Sequence, residues 1–530
     1  MNDDSAADPV RQMSFEALTP SAFLKRSAAV FGDRVAVIDG ERKFTYSKLL
    51  ARARHMAGAL RALGVAPGDR VAVLAPNSHL LLEAHYGIPF SGAVLVALNT
   101  RLTADDFAYI IGHCGARVLI HDASFARVAR DTASKASGLR LIRAGGSAAD
   151  DEYETLLAGA EPLEEPVTDE RAPISINYTS GTTARPKGVT YHHRGAYLQA
   201  LAMAYHMRLD IDSVYLWTLP MFHCNGWCFT WAVTAAAATH LCLRRMDPKL
   251  IWQQLQESGV THMCGAPTVL TMMIWDTEAQ HGALPRPLRI GTGGAAPTPA
   301  LLARAAELNM DVTHLYGLTE TYGPITICEW RSEWNALAIP QQAAIKARQG
   351  VGNVISESMR VVDADGRDVP ADGKTLGEIA LRGNNLMLGY YRDDEATRRA
   401  SPDGWFCSGD LGVMHADGYV ELKDRAKDLI ISGGENISSL EIESALAAHP
   451  AVLEVAAVAA PDAKWGEIPV AFAALKDGGN VTEVELIEFV RGRIAHFKAP
   501  RRIVFGELPK NATGKIQKFV LRERARQLVQ

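Results

Sequence analysis

The segment Tyr178-Thr-Ser-Gly-Thr-Thr-Ala-Arg-Pro-Lys-Gly-Val189 packs Thr179, Ser180, Gly181, Thr182, Thr183 and Lys187 into one short turn. Successive backbone N–H groups in such a turn form a nest for anionic oxygens. The hydroxyls add donors and the lysine adds charge. The chemistry this suits is the grip of a polyphosphate. It is not a Walker A loop, which needs Gly-Lys-Ser/Thr, because Pro186 precedes Lys187 here.

Three further segments follow in order. Gly291-Thr-Gly-Gly-Ala-Ala-Pro297 lets a flat group lie close to backbone just before a helix. Tyr316-Gly-Leu-Thr-Glu320 offers an aromatic face, a hydroxyl and a carboxylate within five residues. Gly404-Trp-Phe-Cys-Ser-Gly-Asp410 ends in an acid suited to sugar hydroxyls. A turn would explain any one of them; their joint occurrence in this order is specific. His223-Cys224-x-x-x-Cys228 has the look of metal spacing, but no second ligand pair follows, so zinc is not expected. His223 reads instead as an aromatic plate, and Trp227 as a bulky wall.

These residues need elements to hold them. Val71–Leu74, Arg117–Ile120, Ile174–Asn177, Thr261–Cys264 and Leu288–Ile290 are short apolar runs that predict buried strands. Between them, Thr103 with Asp106, Asp247-Pro248 and Thr298-Pro299 carry helix-start chemistry. That alternation predicts an α/β architecture with mostly parallel sheets. From about Val351 the texture changes to Asp-Gly turns between short runs, at Asp365-Gly366, Asp372-Gly373, Asp403-Gly404 and Asp417-Gly418, which predicts antiparallel β-structure. A compact α+β tail follows, with helix starts at Ser438/Glu441 and Thr482/Glu485 and strands at Val452–Ala459 and Ile503–Phe505. The boundary falls near residue 427, separating 1–426 from 427–530.

Composition excludes several classes. The 530 residues are 48% hydrophobic and 22% charged, ordinary for a globular protein. A net charge of −5 gives no global reason to expect nucleic acid. Seven scattered Cys do not read as a disulfide framework, and neither end carries a secretory, peroxisomal or prenylation address, so a cytoplasmic protein is expected. Ser213 to Leu243 lacks every charged residue, yet Pro220, His223, Asn225, Gly226 and His240 interrupt it, so a buried strand-loop-helix is expected rather than a membrane span. Between Arg491 and Arg526 eleven Lys and Arg face only Glu507 and Glu523. That excess reads as a solvated face or as a lid meeting phosphates.

In this order the motifs resemble the superfamily of AMP-forming adenylating enzymes: acyl-CoA synthetases, non-ribosomal peptide adenylation domains and firefly luciferase. The resemblance runs from about residue 30 to 522. It implies a large α/β domain of two doubly wound mixed sheets plus a small β-barrel, then a small mobile α+β domain. It also implies ATP and coenzyme A as co-substrates, Mg²⁺ as the metal and a tendency to dimerise. By the resemblance, Thr179 to Lys187 grips the β- and γ-phosphates, Gly294, Ala295, Ala296 and Pro297 wall the adenine, and Tyr316, with Gly317 beside it, stacks there. Thr319 contacts the α-phosphate and Glu320 holds Mg²⁺. Asp410 takes both ribose hydroxyls, with Arg425 reaching the same sugar. Lys427 is the hinge, Lys515 the catalytic lysine, and Gly433, Gly434 and Glu435 line the way in for pantetheine.

His223, Trp227, Gly293 and Pro324 are the implied acyl pocket. The string Pro220-Met-Phe-His-Cys-Asn-Gly-Trp227 resembles synthetases for short- and medium-chain acids, including 3-methylmercaptopropionate-CoA ligases. An apolar monocarboxylate is therefore expected, with an aryl acid or a carrier-protein thiol as the alternatives. Ala184 and Cys407-Ser408 depart from the commonest residues at their positions, and neither change removes a charged participant.

Overall fold

The computed structural model describes residues 16–147, 150–179, 185–275, 282–510 and 514–529. Two large sheets carry the first four-fifths of the chain. The seven-stranded sheet runs Gly389–Tyr390, Gly188–His192, Pro173–Tyr178, Val94–Ala97, Arg70–Leu74, Val118–Asp122, Arg140–Ala144. It is parallel from Pro173–Tyr178 onward and antiparallel across its first two ladders. The nine-stranded sheet is parallel from Met310–Leu318 through Leu288–Thr292, His262–Gly265, Val214–Leu216 and Thr239–Cys242 to Val35–Asp39, with antiparallel strands at both edges. Strands buried on both faces read as continuous apolar runs, and Val71, Ala72, Val73 and Leu74 are all fully buried. Val71 and Val73 point into the core shared with Trp217 and Trp231, whereas Ala72 and Leu74 face Phe107 and Ile110 on the other side.

The helix starts behave as their residues dictate. Thr103 Oγ1 accepts from the Asp106 amide at 3.3 Å while the Asp106 carboxylate accepts from the Thr103 amide at 2.9 Å. Asp247 and Thr298 cap the helices Pro248–Glu257 and Pro299–Glu307. Such caps contribute about 1 kcal/mol each.

Where Asp-Gly turns were expected, Arg360–Val362, Gly377–Leu381, Phe406–Met414 and Val420–Arg425 form an antiparallel sheet. Gly366, Gly373, Gly404 and Gly418 turn it in the left-handed region, at φ +76, +67, +75 and +82. Its core is Met359, Val361, Ile379, Leu381, Phe406 and Val420, closed by Tyr316 and Ile325 of the nine-stranded sheet.

The C-terminal part is α+β. Glu435–Ile437, Ile430–Ser432, Gly466–Leu475 and Val452–Asp462 pair in that order, and Arg502–Phe505 adds in parallel to Gly466–Leu475. Thr482 and Glu485 close a reciprocal cap at Glu483–Arg491, and Ser438 caps Ser439–Ala447. Its two apolar clusters contain only residues between Ile430 and Ala525.

The uncharged stretch from Ser213 forms the strand Val214–Leu216, a tight turn and the helix Phe229–Ala235, as expected, and then a second strand, Thr239–Cys242, that the sequence did not signal. No described helix is long and apolar enough to cross a membrane. The basic tail is largely paired: Lys498 with Glu441, Arg502 with Glu483, Lys510 with Glu454, Lys518 with Glu443 and Arg522 with Asp428. Their acids come from elsewhere in the same domain, so the excess counted along the chain is neutralised in space.

Candidate active site

The strands on either side of the Thr179–Lys187 segment pair with each other. Strand Pro173–Tyr178 pairs antiparallel with Gly188–His192, and the Thr179 amide donates to the Lys187 carbonyl at 3.0 Å. Ser180, Gly181, Thr182, Thr183 and Ala184 lie outside the described residues. Lys187 Nζ sits 4.0 Å from the Asp393 carboxylate and 4.7 Å from the centre of the Tyr390 ring. Tyr390 is delivered by Gly389–Tyr390, which pairs with the loop's own return strand, and its hydroxyl donates to Glu320 Oε1 at 2.8 Å. Lys187 and the Glu320 carboxylate are thus linked through one tyrosine.

Thr319 and Glu320 occupy the short turn Thr319–Thr321 at the end of the strand that carries Tyr316. The Tyr191 hydroxyl donates to the Thr319 carbonyl at 2.7 Å, and the Met387 amide donates to the Glu320 carbonyl at 2.8 Å, so the first two residues of this turn are held. Tyr316 is buried and donates its hydroxyl to Asp410 Oδ2 at 2.7 Å. Arg425 Nε holds the other oxygen, Oδ1, at 3.2 Å, and residues 410 and 425 face each other across the ladder. Each carboxylate oxygen has two lone pairs and one is used, which leaves acceptors for a diol. Ser408 sets the geometry of the acid: its hydroxyl donates to the Ile379 carbonyl at 2.6 Å and accepts from the Asp410 amide at 3.1 Å. The Gly294–Ala296 backbone is exposed beside this cluster, with Gly294 at φ +86 and Pro297 buried behind it.

The turn after His223 is unusual. Cys224, Asn225, Gly226, Trp227 and Cys228 all have left-handed backbones, at φ +42, +44, +60, +52 and +64. For each of the four non-glycine residues that conformation costs about 1–2 kcal/mol, so the surroundings must impose it. Trp227 is buried against Gly293 and Gly323: a Cβ on Gly293 would lie 3.0 Å from the edge of the indole, and one on Gly323 3.0 Å from the Trp227 Cα. The Pro324 carbonyl behind them accepts from Gln199 and Asn353 at 2.6 and 3.0 Å. Trp227 therefore packs between Gly293 and Gly323, the residue before Pro324. His223 stands at the mouth of this turn. Burial first, and the Lys515 ammonium second, push its imidazole down to about 4, so it is neutral at physiological pH.

Lys515 comes from the C-terminal domain. It is an exposed residue within electrostatic reach of Asp410, Arg425, Lys427, Asp428 and His223. Crowding by protein, then repulsion from Arg425, bring its ammonium down to about 8 against the pull of Asp410 and Asp428. Its neighbour Gly514 has φ +81, and a Cβ there would meet Thr268 Oγ1 of the helix Pro267–Ile274 at 2.4 Å. Only glycine brings the lysine loop this close to the large domain. Lys427 is exposed at the start of the C-terminal domain, next to the Asp428–Arg522 ion pair.

Gly433, Gly434 and Glu435 form the exposed hairpin tip between Ile430–Ser432 and Glu435–Ile437. Among the described residues, no hydrogen bond or ion pair joins this tip to Asp410, Glu320 or His223. The tip packs instead on Trp465, whose carbonyl accepts from the Gly433 amide at 2.8 Å and whose ring a Cβ at 433 would meet at 2.7 Å. Tyr390, Asp393 and Thr268 are site neighbours outside the motifs above, as Trp465 is for the hairpin tip; Asn225 lies within the Pro220–Trp227 string but carried no assigned role. Only Tyr390 had a local signal, in the strand run ending Gly389-Tyr-Tyr391.

The AMP-binding enzyme model matches residues 24–391, and the AMP-binding enzyme C-terminal domain matches 441–515. Acetate--CoA ligase CCL3 of Humulus lupulus is 44% identical over 98% of this chain and 97% of its own length. The peroxisomal benzoate--CoA ligase of Arabidopsis thaliana is 42% identical over 97% of this chain and 94% of its own. Among solved structures, the anthranilate CoA ligase AuaEII in complex with anthranoyl-AMP superposes with a TM-score of 0.87 at 25% identity, covering 97% of this chain and 98% of that one. MatB from Rhodopseudomonas palustris, 27% identical over 96% of this chain and all of its own, gives a TM-score of 0.84 in its ATP-bound form and 0.74 in its apo form. Matched by the family models in both its large and its C-terminal part and by CoA ligases over nearly its whole length, the chain belongs to the AMP-binding enzyme family as an acid–thiol ligase, activating a carboxylic acid as its adenylate and passing it to coenzyme A.

Proposed function

We propose that the acid is a short- or medium-chain apolar monocarboxylate and that the adenylate is made between Lys515 on one side and the Thr319–Glu320 turn on the other. The observation that carries this reading is the convergence of Lys515, Asp410 and His223 from three separate segments. Asp410 accepts from the ribose hydroxyls, held in place by Tyr316 and Arg425. Gly294 to Pro297 wall the adenine, and Thr179, the following hydroxyl-rich residues and Lys187 receive the β- and γ-phosphates.

A carboxylate attacking the α-phosphorus brings two anions together. The ammonium of Lys515 stabilises the charge that accumulates as the new O–P bond forms and pyrophosphate leaves. Neutral His223 packs beside the reacting carboxylate without adding a proton to it. Glu320 is half-buried and offers hard carboxylate oxygens, one already oriented by Tyr390, which fits Mg²⁺. When bound, that ion supplies neutralisation of the phosphate charge.

In the second half-reaction the thiol of coenzyme A attacks the acyl carbonyl and AMP leaves. We assign the Gly433–Glu435 tip to the pantetheine path and Lys427 to the pivot between 1–426 and 427–530. The closer superposition on ATP-bound than on apo MatB supports an orientation in which the lysine, not the tip, faces the site.

Trp227, buried against Gly293, shortens the pocket and supports a short acid. The benzoate- and anthranilate-specific names among the relatives favour an aryl acid as the second reading. Initial rates of CoA-dependent AMP formation over acetate, butyrate, hexanoate, octanoate, palmitate, benzoate and 3-methylmercaptopropionate decide between them. The expected optimum lies between butyrate and octanoate or its thioether analogue; a benzoate or palmitate optimum overturns the reading.

A further inference from the structure

Asn225 is fully buried at the centre of the left-handed turn, two residues from His223 and two from Trp227. Its side chain sits in a hydrogen-bond chain whose direction can be assigned from the ends. His85 places Nδ1 2.6 Å from the Leu81 carbonyl, so that nitrogen carries the proton and Nε2 accepts. Burial holds this imidazole neutral, down to about 4. Asn225 Nδ2 therefore donates to His85 Nε2 at 2.9 Å, which turns Asn225 Oδ1 toward Ser175, whose hydroxyl donates to it at 2.8 Å. With its proton used, Ser175 Oγ accepts from the Tyr322 hydroxyl at 2.9 Å. All four side chains are fully buried or nearly so. Tyr322 in turn stacks on Tyr191 with ring centres 3.6 Å apart, and Tyr191 donates to the Thr319 carbonyl.

We propose that Asn225 is a specificity-determining positioning residue: its buried amide locks the turn Cys224–Cys228 in the left-handed form that presses Trp227 onto Gly293 and so fixes the depth of the acyl pocket. The amide is the one side chain of its size that donates toward His85 and accepts from Ser175 at once. Leucine would leave both unpaired, and aspartate would set an acceptor against the lone pair of Nε2. Asparagine is also the non-glycine residue that tolerates the left-handed region best. The inference rests on the reading that Trp227 forms the pocket floor.

The test is a chain-length profile of kcat/KM from butyrate to decanoate for the wild type, Asn225→Ala, Ser175→Ala, Trp227→Ala and the Asn225→Ala/Trp227→Ala pair, with KM for ATP measured on each. Asn225→Ala should lower the butyrate-to-octanoate ratio by on the order of tenfold, the scale of misfit of a methylene or two, with KM for ATP held within about twofold. Ser175→Ala, which removes one anchor and creates little space, should move the ratio the same way by less; it serves if Asn225→Ala fails to fold. The pair should match Trp227→Ala alone, because a missing indole leaves nothing to position. A uniform loss of kcat across all chain lengths, or additive effects of the two substitutions, overturns the role of Asn225. If Trp227→Ala itself leaves the profile unchanged, the pocket reading fails and takes this inference with it.

Discussion

Gly514→Ala isolates the step in which the lysine loop docks. Residue 514 sits at φ +81, where alanine loses about 1–2 kcal/mol. Its methyl carbon would also lie 2.4 Å from Thr268 Oγ1, and relieving such overpacking costs about 1–3 kcal/mol. Together these disfavour the lysine-in orientation by about 2–5 kcal/mol, that is, about thirty- to several-thousandfold at 1.36 kcal/mol per decade. Acid-dependent exchange of pyrophosphate into ATP should fall accordingly. Thioester formation from supplied acyl-adenylate and coenzyme A should stay within about threefold, since that half-reaction does not call on Lys515. Among the described residues, Thr268 Oγ1 is buried without a hydrogen-bond partner, so Thr268→Ala removes the clash at little cost. The Gly514→Ala/Thr268→Ala pair should recover exchange to about five- to thirtyfold below wild type, the backbone penalty alone. Equal loss in both half-reactions, or no recovery in the pair, would refute the docking argument.

Other outcomes follow from the same geometry. Lys515 must be protonated to act and its ammonium is held at about 8, so kcat/KM for ATP in the exchange reaction should be flat below neutrality and fall as pH rises through about 8. Lys515→Arg, which keeps its charge, should abolish that falling limb whatever it does to the absolute rate. Asp410→Asn removes the charged acceptor held by Tyr316 and Arg425, and KM for ATP should rise about ten- to a hundredfold while the penalty for 2′-deoxy-ATP shrinks. Tyr390→Phe keeps the ring under Lys187 but loses the hydroxyl on Glu320; titration calorimetry with Mg²⁺ and a non-hydrolysable ATP analogue should show weaker Mg²⁺ binding with nucleotide affinity nearly kept, and unchanged Mg²⁺ binding would remove Tyr390 from that role.

The legible parts of this molecule are those whose physics is local. The strand Arg70–Leu74 is legible from four consecutive apolar residues and Pro173–Tyr178 from isoleucines alternating with Ser175 and Asn177, and the caps at Thr103, Asp247, Thr298 and Thr482 from a side chain and an amide three residues apart or fewer. Tyr316, Asp410 and Arg425 were legible as candidates because each motif is itself short; the ladder that sets Asp410 opposite Arg425 was not. The left-handed turn was invisible for a different reason. Four of its five residues are not glycine, and what enforces it comes from His85 and Ser175, which lie 140 and 50 residues away along the chain. The same holds for Lys187, whose neighbours Tyr390 and Asp393 come from the adjacent edge strand and the residues after it, about two hundred residues on along the chain. The pairing of the basic tail was not legible because its compensating acids, such as Glu441, Glu443 and Glu454, are close in space but distant in sequence.

How the two lobes meet bears on the proposed swing. Among the described residues, no buried apolar cluster contains residues from both sides: the core around Tyr316 ends at Val420, and the next begins at Ile430. What crosses is polar. Ser439 donates its hydroxyl to Asp424 at 3.0 Å, the Ser438 hydroxyl reaches the Lys423 carbonyl, and Lys476 stands 5.0 Å from the Trp275 ring centre. A polar interface of this kind exchanges its hydrogen bonds for water at small net cost, about 0.5–1.5 kcal/mol per bond. A shared apolar core would have to expose its area to water, at about 25 cal/mol per Å². Two orientations of the small lobe can therefore lie close in free energy, and small gains, such as Lys515 meeting phosphate or thiol reaching carbonyl, suffice to select between them. Burying a hydrophobic contact across that boundary should show the converse: Lys476→Leu, facing Trp275, should hold the lysine-in orientation, speed pyrophosphate exchange or leave it unchanged, and slow overall acyl-CoA formation. A variant that slows both equally would mean that the lobes do not part during turnover.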